Sequence, residues 1–191
     1  MNKVSFDDLM GLPAYEKVRN EFRRRIIQLK EKRRVAVGNK VSLVFENRDT
    51  VVFQIQEMLR AERISDLDKI RDEIDVYNGL VPEPGELSAT LFIEIEDQSH
   101  LREDLLKFQG IDESVSLRFG NHTIRARFEE GRSKEDKISA VQYVRFPFSS
   151  EEIAAFANTQ DAELRIDHPN YTASARIIDE SRKSLLADLK S

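Results

Sequence analysis

The chain has 191 residues, of which 40% are apolar and 34% charged, and its formal net charge is -5. That balance is enough for a packed core and too apolar for disorder, so the length fits one domain spanning residues 1–191. The absence of Cys excludes disulfides, thiolate nucleophiles, zinc–thiolate sites and cysteine-ligated iron–sulfur clusters.

The segment from Met1 to Pro13 carries Asp7 and Asp8 and lacks the basic and apolar regions of a signal peptide. No apolar run reaches the roughly 18 residues of a membrane span. The expectation is a cytoplasmic protein that does not enter a membrane. Charge is unevenly spread: Glu16 to Arg34 holds nine Lys or Arg and three Glu, a local +6 that leaves -11 elsewhere.

Tyr15, Val18, Phe22, Ile26 and Leu29 recur at helical spacing and predict a helix over 13–34. Val35 to Val37, the turn signal Gly38-Asn39 and the alternation Val41, Leu43, Phe45 predict a short strand or hairpin. Helical spacing returns from Asp49 to Ile64, and a further helix follows with Ser65 or Asp66 as its cap and Leu67, Ile70, Ile74 and Tyr77 as its stripe. Pro82-Glu83-Pro84-Gly85 breaks the pattern and divides a helical subregion, 1–82, from a sheet-rich one, 86–191.

Leu87 to Ile95 alternates as a strand, and 99–108 reads as a helix ended by Gly110. Two hairpins follow. One turns at Gly120-Asn121 and sets Phe119 opposite His122; the other turns at Pro169-Asn170 and sets His168 opposite Tyr171. Between them lie a polar loop over 130–137, a strand over 139–148 and a helix opened by the capping box Ser149 and Glu152. A last helix starts at Asp179 with Leu185, Leu186 and Leu189 as its apolar residues. The fold class expected is α+β: a helical N-terminal part packed on a mainly antiparallel sheet with hairpins and short helices.

Phosphate-cradling glycine motifs, a nucleophile elbow, metal-binding His motifs and calcium loops do not occur in the sequence. No cofactor is evident, although a metal remains an option. Projected on a helix wheel, Glu62 falls between Val51 and Ile55 on the apolar face and Glu57 falls near Phe53. A buried carboxylate must be paired, protonated or metal-bound. The simplest expectation is a Glu–Arg pair with the preceding helix. His168 shares the inward parity of Leu164 and Ile166 beside Tyr171, where it is either hydrogen-bonded at the turn or a metal ligand. Glu94 and Glu96 alternate away from the apolar face. If Glu62, His168 and Glu57 converged, with Tyr171 at the edge, they would form a carboxylate-rich metal site. The basic residues of 17–34 could contact nucleic acid phosphates, but the acidic body favours a solvated helix face instead.

The strings Phe45-Glu46-Asn47-Arg48-Asp49-Thr50, Gln56 to Glu62, Glu86 to Leu91, Gln142 to Phe146 and His168-Pro169-Asn170-Tyr171 together resemble an uncharacterised bacterial family defined by a domain of unknown function. The resemblance covers nearly the whole chain. It implies genes that neighbour rubrerythrin and an iron–sulfur protein similar to heterodisulfide reductase subunits. The expectation that follows is an accessory or interaction protein for a peroxide-stress or electron-transfer system, with a rubrerythrin or iron–sulfur protein as its partner. A carboxylate and His metal site or metal-dependent enzyme is the alternative.

Overall fold

The computed structural model describes residues 1–95, 98–129, 133–134 and 137–191; Glu96 and most of the polar loop expected over 130–137 lie outside the described residues. Helix α1 (Leu12–Glu31) follows a short 3-10 turn at Phe6–Asp8, with Pro13 in its first turn, where proline's missing N–H costs nothing. Its buried stripe is Tyr15, Phe22 and Ile26, whereas Val18 of the expected stripe is exposed. The helix also stops three residues before the expected Arg34. Arg33, Val35 and Val37 are buried and alternate with exposed Arg34 and Ala36, so the chain has already entered strand β1 (Arg34–Val37). Strand β2 (Val41–Glu46) returns from the turn in the register Val37 opposite Val41.

Asn47 caps helix α2 (Arg48–Ala61) by accepting from the Thr50 N–H, and the Asn47 N–H donates in return to the Thr50 hydroxyl at 2.9 Å. Helix α3 (Leu67–Asn78) is capped by Asp66, with Ile74 buried and Leu67 exposed at the first turn. Strand β3 (Glu86–Ile93) then pairs antiparallel with β2, so the proline break at 82–84 does not separate the sheet. Helix α4 (Leu101–Leu106) is shorter than the expected 99–108 because a 3-10 turn precedes it and Gly110, at φ 88, ends the segment.

The hairpin β4 (Val115–Phe119) and β5 (His122–Arg125) has the expected register, Phe119 opposite His122 and Leu117 opposite Ile124. Strand β6 (Arg127–Phe128) follows after Ala126 alone, then β7 (Ser133–Lys134), β8 (Lys137–Ile138) and β9 (Val141–Pro147). Helix α5 (Ser150–Asn158) opens on the Ser149 and Glu152 capping box. Strands β10 (Ala162–His168) and β11 (Tyr171–Arg176) form the second hairpin with His168 opposite Tyr171, and α6 (Asp179–Leu189) completes the chain.

Among the described residues, the strands form one sheet of order β1-β2-β3-β9-β6 and another of order β11-β10-β4-β5, besides the small β7–β8 ribbon, and every pairing is antiparallel. This is the expected α+β class. The chain passes from the second sheet to the first at Ala126, whose N–H still bonds the Val115 carbonyl at 2.9 Å. Inward side chains of both sheets, with Phe156, Leu185 and Leu189 from α5 and α6, make one apolar core. A second cluster joins α1, α2 and α3 to Leu80, Val81 and Tyr143, so the helical layer rests on the outward side of the first sheet. Among the described residues, no helix is long and apolar enough to cross a membrane.

Candidate functional site

The expected site residues do not meet. Glu62 is exposed, because α2 ends at Ala61 and Arg63 turns the chain away in the left-handed region at φ 54. The helix-wheel position of Glu62 assumed a helix that no longer exists there. The expected carboxylate–arginine pair is made by Glu57 instead. Arg19 donates from Nε and Nη2 to both carboxylate oxygens at 2.8 and 2.7 Å, and the buried Tyr15 hydroxyl adds a bond of 2.7 Å. Arg19 holds the Glu57 carboxyl below its ordinary range, and burial, followed by the Glu57 bond, pushes the Tyr15 phenol up. This is a clamp between α1 and α2.

His168 is 3% exposed, and both its ring nitrogens are used. Asn170 N–H donates to Nδ1 at 3.2 Å, which leaves the proton on Nε2 to donate to the Gln109 carbonyl at 2.7 Å. Tyr171 donates to the Val37 carbonyl at 2.6 Å and accepts from the Lys40 N–H at 3.0 Å. Phe108 lies against both rings. Glu94 is exposed and accepts from Ser42 and Arg34. Among the described residues, no group of three or more His, Asp or Glu is placed to hold a metal.

The buried polar contacts of Arg33 and Glu46 have no counterpart among the expected site residues. Arg33, 1% exposed, bonds the Phe45 and Glu46 carbonyls, the Ser184 hydroxyl and the carboxylate of Asp188. Burial raises the Asp188 carboxyl above its ordinary value, with Arg33 acting against it. Glu46, 2% exposed, accepts from the Thr50 and Thr90 hydroxyls. Their signals were present: Arg33 shares the parity of Val35 and Val37, and Asp188 shares the helical face of Leu185.

A groove of about 780 Å³ lies between α1, the start of α2 and the segment before α1. Gln56, fully buried, fixes that segment by accepting from the Met10 N–H at 2.5 Å and donating to the Met10 carbonyl at 3.2 Å. Asp8 is capped by Ser5 and paired with Arg48 at 2.5 Å. The Ser5 N–H and the Arg48 guanidinium hold its carboxyl at about 2. Met10, Val18 and Phe22 supply the apolar wall, while Arg24, Arg25 and Arg48 supply cations. Arg25 lies over the Phe22 ring at 4.9 Å. Neither Arg24 nor Arg25 has an ion-pair partner among the described residues. The volume suits a side-chain cluster or a small ligand, and the mixed lining suits an amphipathic one.

Fold and groove define an α+β protein with a concave surface of mixed apolar and cationic lining in its helical layer. The chain belongs to the DUF3501 family of proteins of unknown function, whose model matches residues 3–189. It is similar to a crystallised protein of unknown function from Burkholderia pseudomallei K96243, with a TM-score of 0.92 and 36% identity over 99% of this chain and 100% of that one. No curated protein matches the chain.

Proposed function

We propose that this is an accessory protein that acts by docking a partner protein in the α1–α2 groove, in service of a peroxide-detoxifying or electron-transfer system. The observation that carries the docking is the pair Arg24 and Arg25, without carboxylate partners among the described residues, beside Met10 and Val18, which are 40% and 39% exposed. An apolar contact ringed by unpaired arginines is the composition of a protein interface, where the apolar centre supplies affinity and the charges set orientation. The redox system rests on the family resemblance of the sequence motifs, which points to a rubrerythrin or an iron–sulfur protein as the partner. In that arrangement the partner carries the electrons and this chain supplies binding.

The test is titration of the purified chain with its own organism's rubrerythrin and iron–sulfur protein, alongside capture of either from native cells at natural abundance. The reading expects binding to one of them, weakened about tenfold or more by Val18→Asp with Arg24→Glu. Binding to neither, or iron or catalytic turnover intrinsic to the isolated chain, would overturn it.

A further inference from the structure

The two sheets are treated differently on their outward sides. Helices cover the first, but those of the second sheet stay open to solvent. Its inward residues, such as Leu117, Phe119, Leu164 and Ile166, are buried, and the alternate positions on the same strands point outward. The strand register lines these up in rows. One runs Arg125, Ser116, Arg165, Ser174; the next runs Thr123, Arg118, Glu163, Arg176. Asp167 and Thr172 follow as a pair.

Thr123, Arg125, Asp167, Thr172, Ser174 and Arg176 are exposed, and no outward position on these four strands is aliphatic or aromatic. Such a surface has no apolar area to bury. Its binding energy has to come from charge. Four arginines stand against two carboxylates, a net positive patch on a chain whose total is -5. The carboxylates are also partly used: Asp167 accepts from Arg165 and from Arg118, each at 2.8 Å. Arg176 donates to the Gln160 carbonyl at 2.9 Å and has the exposed Asp161 at 3.6 Å as its carboxylate, while Arg125 makes no ion pair among the described residues.

We propose that the outward face of the β11-β10-β4-β5 sheet docks an acidic protein surface, with Arg125 and Arg176 as its main contacts to partner carboxylates. Planar guanidinium forks match carboxylates in bidentate geometry, and the hydroxyls between them add neutral hydrogen bonds. A nucleic acid fits less well for two reasons. Stacking needs aromatic side chains, which this face lacks. Glu163 and Asp167, set among the arginines, repel a continuous phosphate backbone, whereas a folded partner can set its own donors against them. This surface is separate from the α1–α2 groove, so either can fail without the other.

The experiment measures binding of the full chain to labelled poly-L-glutamate, single-stranded RNA and duplex DNA at low salt. The proposal expects poly-L-glutamate binding that weakens with added salt and falls about tenfold or more in the Arg125→Glu, Arg176→Glu double variant. Reversing Arg23, Arg24 and Arg25 on α1 is expected to change it far less. Ser174→Glu introduces a like charge on the same face without removing any contact, and it gives the same reading if the double variant does not fold. Absence of poly-L-glutamate binding, indifference to both face variants, or tighter binding of either nucleic acid would overturn the proposal.

Discussion

The guanidinium of Arg33, just past the end of α1, bonds the carboxylate of Asp188 in the last turn of α6, 155 residues further along the chain. Both side chains are almost without solvent, at 1% and 7% exposure. Arg33 also takes the carbonyls that end β2, so one side chain joins the helical layer, the first sheet and the C-terminal helix. Removing either partner alone leaves a buried charge without its counter-ion. Arg33→Ala and Asp188→Ala are each expected to cost about 3–5 kcal/mol in urea denaturation. The Arg33→Met, Asp188→Leu double variant is expected to cost less than the sum of the two, because no charge is left stranded.

Acid sensitivity is expected at the edge of the groove. The Ser5 N–H and Arg48 hold the Asp8 carboxyl at about 2, below its ordinary 3.8. A carboxyl lowered by folding contributes stability above its unfolded value, and that contribution is lost as pH falls through the folded one. Melting temperatures followed from pH 3.8 down to about 2 should therefore drop more steeply for the native protein than for Asp8→Asn. Parallel curves would show that the Asp8 contacts contribute nothing to folding.

Gly38 turns β1 into β2 at φ 73, and a Cβ there would overlap the Tyr171 hydroxyl. Gly38→Ala therefore combines an unfavourable backbone region with a clash, and is expected to cost about 2 kcal/mol or more. Tyr171→Phe removes the clashing atom and with it the bonds to Val37 and Lys40, an expected loss of about 1–2 kcal/mol. In the pair of variants together the penalties should be less than additive, which equilibrium denaturation of all three proteins can measure.

Arg63 ends α2 in the left-handed region at φ 54, with Ile64 N–H bonded to the Leu59 carbonyl at 2.9 Å and Arg63 N–H to the Arg60 carbonyl at 3.3 Å. That is the bonding of a Schellman cap, which glycine occupies without steric cost. Arg63→Gly is expected to stabilise the protein by about 0.5 kcal/mol, the relief of left-handed strain outweighing the added freedom of the unfolded chain. A lower melting temperature in the glycine variant would contradict this.

The hairpins were legible because period-two alternation and a turn signal fix register locally: Phe119 meets His122 and His168 meets Tyr171 as the pattern requires. Helix starts marked by Asp66 and Ser149 were legible for the same local reason. The pairing of β3 with β9 and the corner at Ala126 were not, since long-range sheet order leaves no trace in nearby residues. The site fared worse. A run of basic residues reads as a solvated face, which hid Arg33 among its neighbours. Glu62 was misplaced because one left-handed residue, Arg63, ends a helix whose wheel pattern continues past it. The groove depends on how Gln56 pins Met10, a contact between segments 46 residues apart.

Among the described residues, β1 and β11 run side by side with no backbone ladder between them, and the Tyr171 hydroxyl spans the gap. Parting these strands breaks two bonds to one phenol rather than a row of amide bonds. The seam is thus held more weakly than the laddered joins beside it, and its amides should exchange with deuterium through local breathing, well before those between β2 and β3.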